Sequence, residues 1–262
     1  MRTSDGSRVR IERSNEHPRI PGGVVTGEAF ETRHAFGARL PSHRHHLPYV
    51  ALVLDGAYYE ASADGLWRCA PGTFIVHPLL HAHANWFPES DVRVLNVSVE
   101  RMPPDGIGRG YGVWKAGRSL TAEVLRDHDP SRLLAALTDS EPITPVSAPE
   151  SVEAAALALR SRPSTSIGAA ARKSGVSREY IARAFRRHFG LPPRAFRAEH
   201  RMRLVLRLLA DNTIPLTLVA LDAGFADQAH LTRTVRSATG MSPALLRRWL
   251  SSVIEGHIRS SE

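Results

Sequence analysis

The sequence has one cysteine, two lysines and an aromatic content of only 6% in 262 residues. The lone Cys69 excludes an intramolecular disulfide framework, a zinc finger and any multi-cysteine redox or repair site. No apolar run approaches the ~18–20 residues of a membrane-spanning helix. The longest strand-like run is Val50–Leu54. The first 25 residues are polar and charged and lack the apolar core of a secretory signal, so the expectation is a soluble cytoplasmic protein with no membrane partner. Lysine is so scarce that 32 of the 34 cations are arginine. With so much alanine, a GC-rich genome alone accounts for that bias, and it carries no functional weight.

Apolar residues make up 42% and charged residues 23%, so the chain can bury a core in each of two ordinary domains. The net charge of +8 is unevenly placed. Residues 147–262 hold 18 basic and 9 acidic side chains, residues 1–146 hold 16 and 17. A strongly cationic half joined to a neutral one suggests a polyanion-binding unit attached to something else.

Residues 24–100 read as short strands separated by turn signals. Tyr49–Leu54 precedes Asp55-Gly56, a hairpin dipeptide, and then Ala57–Ala61; Ala63-Asp64-Gly65 and Pro71-Gly72 flank Leu66–Cys69 and lead to Thr73–His77. Over Val92–Val99 the apolar Leu95, Val97 and Val99 alternate with Asn96 and Ser98, a half-buried strand period. A small antiparallel barrel or sandwich is expected. From Ser119 the spacing turns helical, through Leu120, Val124 and Leu125, then Leu133, Leu134 and Leu137 behind Asp129-Pro130-Ser131. One reading of Ser119–Thr138 is helices packed back on their own barrel. The segment Glu141–Pro149 carries three prolines and reads as an extended linker.

The basic half repeats itself at an offset of 50 residues. Ser177 pairs with Asp227, Ile181 with Leu231, Arg183 with Arg233, Phe185 with Val235, Arg186 with Arg236, Gly190 with Gly240, and Pro193 with Pro243. Upstream the offset is 49, Ala171 matching Ala220 and Gly175 matching Gly224. In each copy a short helix (Ile167–Lys173, Leu216–Ala223) stops at a glycine, and Ser177 or Asp227 caps a second helix. Ile181, Ala184 and Phe185, with Leu231, Thr234 and Val235, form the inner face. The outer face shows Arg178, Glu179, Ala182, Arg183 and Arg186 in one copy, and Gln228, Ala229, Thr232, Arg233 and Arg236 in the other. Helix, tight turn and capped second helix make a helix-turn-helix, whose second helix fits a major groove ~12 Å wide. Between the copies Arg194–Ala210 is a helix with Met202, Val205, Leu206 and Leu209 on one face; Arg197, Arg201, Arg203 and Arg207 fall on others. About 16 residues at ~1.5 Å each give roughly 24 Å, enough with the width of the motifs to set two reading helices about one DNA turn apart.

The run Ala223-Gly224-Phe225-Ala226-Asp227-Gln228-Ala229-His230-Leu231-Thr232-Arg233, followed by Arg236, Gly240 and Pro243, resembles the signature of AraC/XylS-type transcription regulators. Gly175–Arg186 resembles that family's first helix-turn-helix, and the likeness covers about Ser151–Leu250. Val235 and Leu246 stand where the family usually has aromatics. The resemblance implies a sequence-specific regulator rather than an enzyme, with promoter DNA, RNA polymerase and a second copy of itself as partners. Arg178, Arg183, Gln228 and Arg233 suit base edges, Arg186, Arg236 and Arg172 suit phosphates, and Glu179, Ala182, Ala229, His230 and Thr232 share the same surface. The competing reading of any one of these arginines is a solvated charged face.

Six of the 13 histidines lie in residues 43–83: His43, His45, His46, His77, His81 and His83. Gly37-x5-His43-x-His45 and Gly72-x5-Pro78-x4-His83 resemble the two cupin motifs. In metal-binding cupins the corresponding histidines and a carboxylate surround one ion. Here Tyr49 and Val50 hold the carboxylate positions, Leu80 replaces a glycine, and the later asparagine is absent. Three readings stay open. His43, His45 and His83 bind a divalent transition metal; or His43, His45, Tyr49 and His83 hold a small-molecule effector; or the histidines are solvated at a rim or satisfied in the core. Together these readings give a two-domain chain. An N-terminal all-β cupin-like barrel with trailing helices spans 1–115, a helical dimerisation segment and Pro-rich linker 116–146, and an all-α tandem helix-turn-helix domain 147–262. A cupin-type metalloenzyme tethered to DNA is the alternative.

Overall fold

The computed structural model describes residues 29–98, 111–127, 129–137, 139–162 and 164–259. The polar N-terminal stretch and Val99 lie outside these residues, as do the side chains of Val124 and Leu134. Among the described residues the first half has ten antiparallel strands: β1 (Ala29–His34), β2 (Arg39–Arg44), β3 (Tyr49–Asp55), β4 (Tyr58–Ser62), β5 (Gly65–Cys69), β6 (Thr73–His77), β7 (Ala82–Trp86), β8 (Val92–Ser98), β9 (Gly112–Lys115) and β10 (Glu141–Pro142). One sheet runs β1-β8-β3-β6-β9-β10 and the other β2-β7-β4-β5. They face each other across a shared core in which Ala51, Val53, Ile75, Val92 and Val94 of the first meet Tyr58, Trp67 and Cys69 of the second.

Strand β3 shows why Val50–Leu54 is continuously apolar rather than alternating. Its inner face, Ala51 and Val53, enters that core. Its outer face, Val50 and Leu52, packs with Phe74, Leu95 and Val97 under Leu133 and Ala136 of the following helical segment. A strand covered on both sides has no solvent face to leave polar. Helices α1 (Ala122–Asp127) and α2 (Pro130–Ala135) belong to that cover, with Leu120, Leu125 and Leu137 packed at its margin.

Two local expectations need correction. Asp55-Gly56 is not a hairpin turn, because β3 is paired on both sides, by β6 and β8, and β4 crosses to the other sheet. Of the three turn signals only Ala63-Asp64 closes a hairpin, between Ser62 and Gly65. Asn96 is not on a solvent face; it is buried and donates from Nδ2 to the Thr32 hydroxyl at 3.1 Å. The proline-rich segment is extended but strapped down: Ile143 N donates to Val113 O, Val146 N to Leu66 O, and Trp67 Nε1 to Ile143 O.

Among the described residues the second half has seven helices: α3 (Glu150–Ser161), α4 (Ile167–Lys173), α5 (Arg178–His188), α6 (Pro193–Ala210), α7 (Leu216–Asp222), α8 (Gln228–Thr239) and α9 (Pro243–Arg259). They form two modules that share α6. Val152, Ala155, Leu159, Ala170, Ile181, Phe185 and Phe196 make the first core. Met202, Val205, Leu206, Leu209, Val219, Leu231, Val235, Leu246 and Leu250 make the second. The duplicated turn works identically in both. Gly175 and Gly224 take φ of 69° and 74°, a left-handed conformation that a side chain disfavours. Ser177 Oγ then accepts from Tyr180 N at 3.1 Å, and Asp227 Oδ1 accepts from His230 N at 2.6 Å. Among the described residues no helix is long and apolar enough to cross a membrane.

Candidate functional site

The outward faces of α5 and α8 follow from what their inward faces bury. With Ile181, Ala184 and Phe185 inside, Arg178, Glu179, Arg183 and Arg186 are exposed and Ala182 is half-buried beside them. With Leu231, Val235 and Thr239 inside, Gln228, Ala229, Arg233 and Arg236 are exposed, and His230 and Thr232 are half-buried. Several of these side chains already have local partners. A Cβ at Gly168 would lie 2.2 Å from Arg178 Nη2, so that guanidinium rests across the start of α4. Arg186 Nη1 donates to Ala182 O at 3.3 Å and Thr232 Oγ1 to Gln228 O at 2.8 Å. Glu179 is engaged at the helix start, where its own backbone N–H and the Ser177 hydroxyl hold its carboxyl below the ordinary range. His230 stands edge-on to Phe225, with ring centres 5.2 Å apart. The remaining face is cationic and polar, twice over.

The strand half brings its histidines together. Ring centres of His43 and His83 are 4.3 Å apart, those of His43 and His45 5.0 Å, and those of His45 and His83 5.4 Å. Tyr49 joins them, its hydroxyl 3.2 Å from His83 Nε2. His43 Nδ1 lies 2.9 Å from Pro41 O, and His45 is exposed. Two residues beyond the cupin-like set complete the cluster from the inside. His77 lies 4.3 Å from His83 and stacks on Tyr49, and His81 lies 6.0 Å from His83. Beneath them Glu60 is fully buried and accepts from Tyr111, Tyr58 and Asn85. Burial pushes its carboxyl up to about 8 against those three donors, which act to lower it. Burial also holds His77 and His83 well below the usual imidazole range. The spacing His77-x3-His81-x-His83 was the available signal for the inner pair.

Residues 170–248 match a family model described as a helix-turn-helix domain. The match runs from within α4 into α9. The chain is also 32% identical over 186 residues to the HTH-type transcriptional regulator RipA of Corynebacterium glutamicum, a stretch covering 66% of this chain and 55% of that relative. It therefore spans only about half the length of the curated relative it matches. Among solved structures, ToxT from Vibrio cholerae O395 aligns with 86% of this chain and 98% of its own at 8% identity and a TM-score of 0.40. An AraC-type regulator from Chromobacterium violaceum aligns with 38% of this chain and 92% of its own at 22% identity and a TM-score of 0.36.

What the sequence did not disclose is how the strand half grips the helical half. Arg203, on the shared helix α6, is buried and not on an outer face. Its Nη1 and Nη2 donate to Asp64 Oδ1 and Oδ2, each at 2.7 Å, and its Nε to Glu199 Oε1 at 3.2 Å. Glu199 also pairs with Arg44, whose Nη1 donates to Leu80 O at 2.6 Å. Two acids and two guanidinium groups thus alternate across the joint. Removing Glu199 or Arg203, the two buried members of this set, should cost about 3–5 kcal/mol, because it strands the others. Hydrophobic plugs flank the clasp: Ala63 enters the core of the first module, and Leu79 and Leu80 enter that of the second.

Proposed function

We propose that this protein is a sequence-specific DNA-binding transcription regulator. The observation that carries the reading is the duplicated device around α6, two capped helices that bury equivalent residues and expose equivalent cations. A charged surface alone would serve to coat DNA; two capped helices on a shared rod serve to read it. Arg178, Arg183, Gln228 and Arg233 contact base edges, since guanidinium bridges the two acceptors of guanine and carboxamide pairs with adenine. Arg186 and Arg236 contact phosphates and fix register, with Glu179, Ala182, Ala229, His230 and Thr232 completing the contact surface. The similarity to a named transcriptional regulator supports this reading.

In the same proposal residues 1–115 sense, 116–146 connect and 147–262 read. His43, His45, Tyr49 and His83 line the place where a small-molecule effector binds. The partners are promoter DNA, RNA polymerase and a second copy of the chain. A salt-matched titration tests it. Binding to a selected duplex should exceed binding to random duplex by ~10³-fold or more. Equal affinity for both would reduce the protein to a non-specific cation.

A further inference from the structure

The corner between β6 and β7 holds three histidines, of which only His83 belongs to the effector site proposed above. His77 ends β6, His81 occupies the corner and His83 lies on β7; all three are at most 5% exposed. One nitrogen from each lies within 4.8 Å of the others. Each ring also has one nitrogen held from behind. His77 Nε2 is 3.5 Å from Glu60 Oε1, His81 Nε2 is 3.1 Å from Asp64 Oδ2, and His83 Nε2 is 3.2 Å from the Tyr49 hydroxyl. The Nδ1 atoms of all three are buried with no hydrogen-bond partner among the described residues. Three unpartnered buried nitrogens on rings fixed by acids and a phenol form the pattern of a metal site, where outer groups orient the ligating imidazoles and raise their basicity.

We propose that His77, His81 and His83 bind one divalent transition-metal ion, each through one ring nitrogen, and that the ion locks the strand half onto α6. Imidazole donors suit zinc and its late first-row neighbours, with bonds of about 2.0–2.1 Å. The outer set, His43, His45 and His83, competes for His83. It is the poorer site, because His45 is exposed whereas all three inner histidines are buried.

The inner site is wired to the clasp. Asp64, behind His81, is the carboxylate that accepts from Nη1 and Nη2 of Arg203. Between His77 and His81 lie Leu79 and Leu80, the plug in the second module. Leu80 sits at φ 55°, a left-handed conformation costly for a branched side chain and held here by its surroundings. An ion joining His77 to His81 fixes both ends of that corner. Its effect on DNA binding rests on the function proposed above; uptake of metal does not.

Full-length protein stripped with a chelator is titrated with Zn²⁺ by calorimetry and with Co²⁺ by visible absorption. One equivalent should bind, with a cobalt spectrum of a nitrogen-rich tetrahedral site. Affinity should fall at least 100-fold in His77→Gln and stay within threefold in His45→Gln. Absence of stoichiometric uptake by the wild-type chain overturns the site whatever the variants do. Uptake lost in His45→Gln and kept in His77→Gln overturns it in favour of the outer set. Zinc should also change affinity for a selected duplex at least fivefold. One bound equivalent with unchanged DNA affinity overturns the lock, whereas zinc uptake by a protein that binds no DNA specifically tells against the DNA reading and not the site.

Discussion

Arg183 stands exposed on the outer face of α5, whereas Arg203 on α6 is 8% exposed between Asp64 and Glu199. The first is available to a base pair and the second is committed to the joint. Arg183→Ala should therefore cost about 1–3 kcal/mol at the specific site and relax preference at one base position, with folding stability unchanged. Competition binding against single-base variants of the site checks this. His200, also on α6, is a titrating counterpart. Burial, with Arg203 and Arg160 nearby, lowers its pKa to about 4. Its neutral form is the folded form, so its stability contribution is whole above the unfolded value near 6.5 and is lost as pH falls toward 4. Between pH 6.5 and 5 this single group should remove on the order of 1–2 kcal/mol. Urea unfolding of wild type and His200→Gln at the two pH values should show that much less loss in the variant.

At the scale of elements, the β6–β7 corner makes the least expected contact. Leu80 belongs by sequence to the strand half and by packing to the second helix-turn-helix module. Leu80→Ala should cost about 2–5 kcal/mol, and hydrogen exchange should quicken in α7 to α9 as well as in the corner. Faster exchange confined to the corner would mean that the plug does not support the module. The helices, the turn glycines and both caps were legible in the sequence because each is a local bargain between a residue type and its own backbone. Strands β3 to β6 were legible for the same reason. Their pairing was not: Asp55-Gly56 has hairpin chemistry, and only the partners already flanking β3 send β4 to the other sheet. Asn96 and Arg203 were misplaced likewise, since each is buried by a partner distant in the chain, Thr32 in one case and Asp64 in the other. His43, His45 and His83 could be grouped by motif spacing, while Glu60 and Asp64 behind the inner histidines had no local mark.

At the scale of the molecule, α6 performs three tasks. It contributes Phe196 to the first core, Met202 to Leu209 to the second, and Glu199 and Arg203 to the clasp. Eighteen residues at ~1.5 Å make a rod of roughly 27 Å between the two modules. A change in the seat of the strand half on this rod would bias how the two modules stand, a population shift that requires an effector to bind one arrangement more tightly than the other. The most direct measurement is selection of bound sequences from random duplex DNA by the full-length protein, repeated with Arg183→Ala and with Arg233→Ala. The expected product is a two-part consensus with its halves about one helical turn apart, ~34 Å, each variant losing information in a different half. No enrichment over random, or one undivided site weakened identically by both substitutions, would contradict the duplicated reading head.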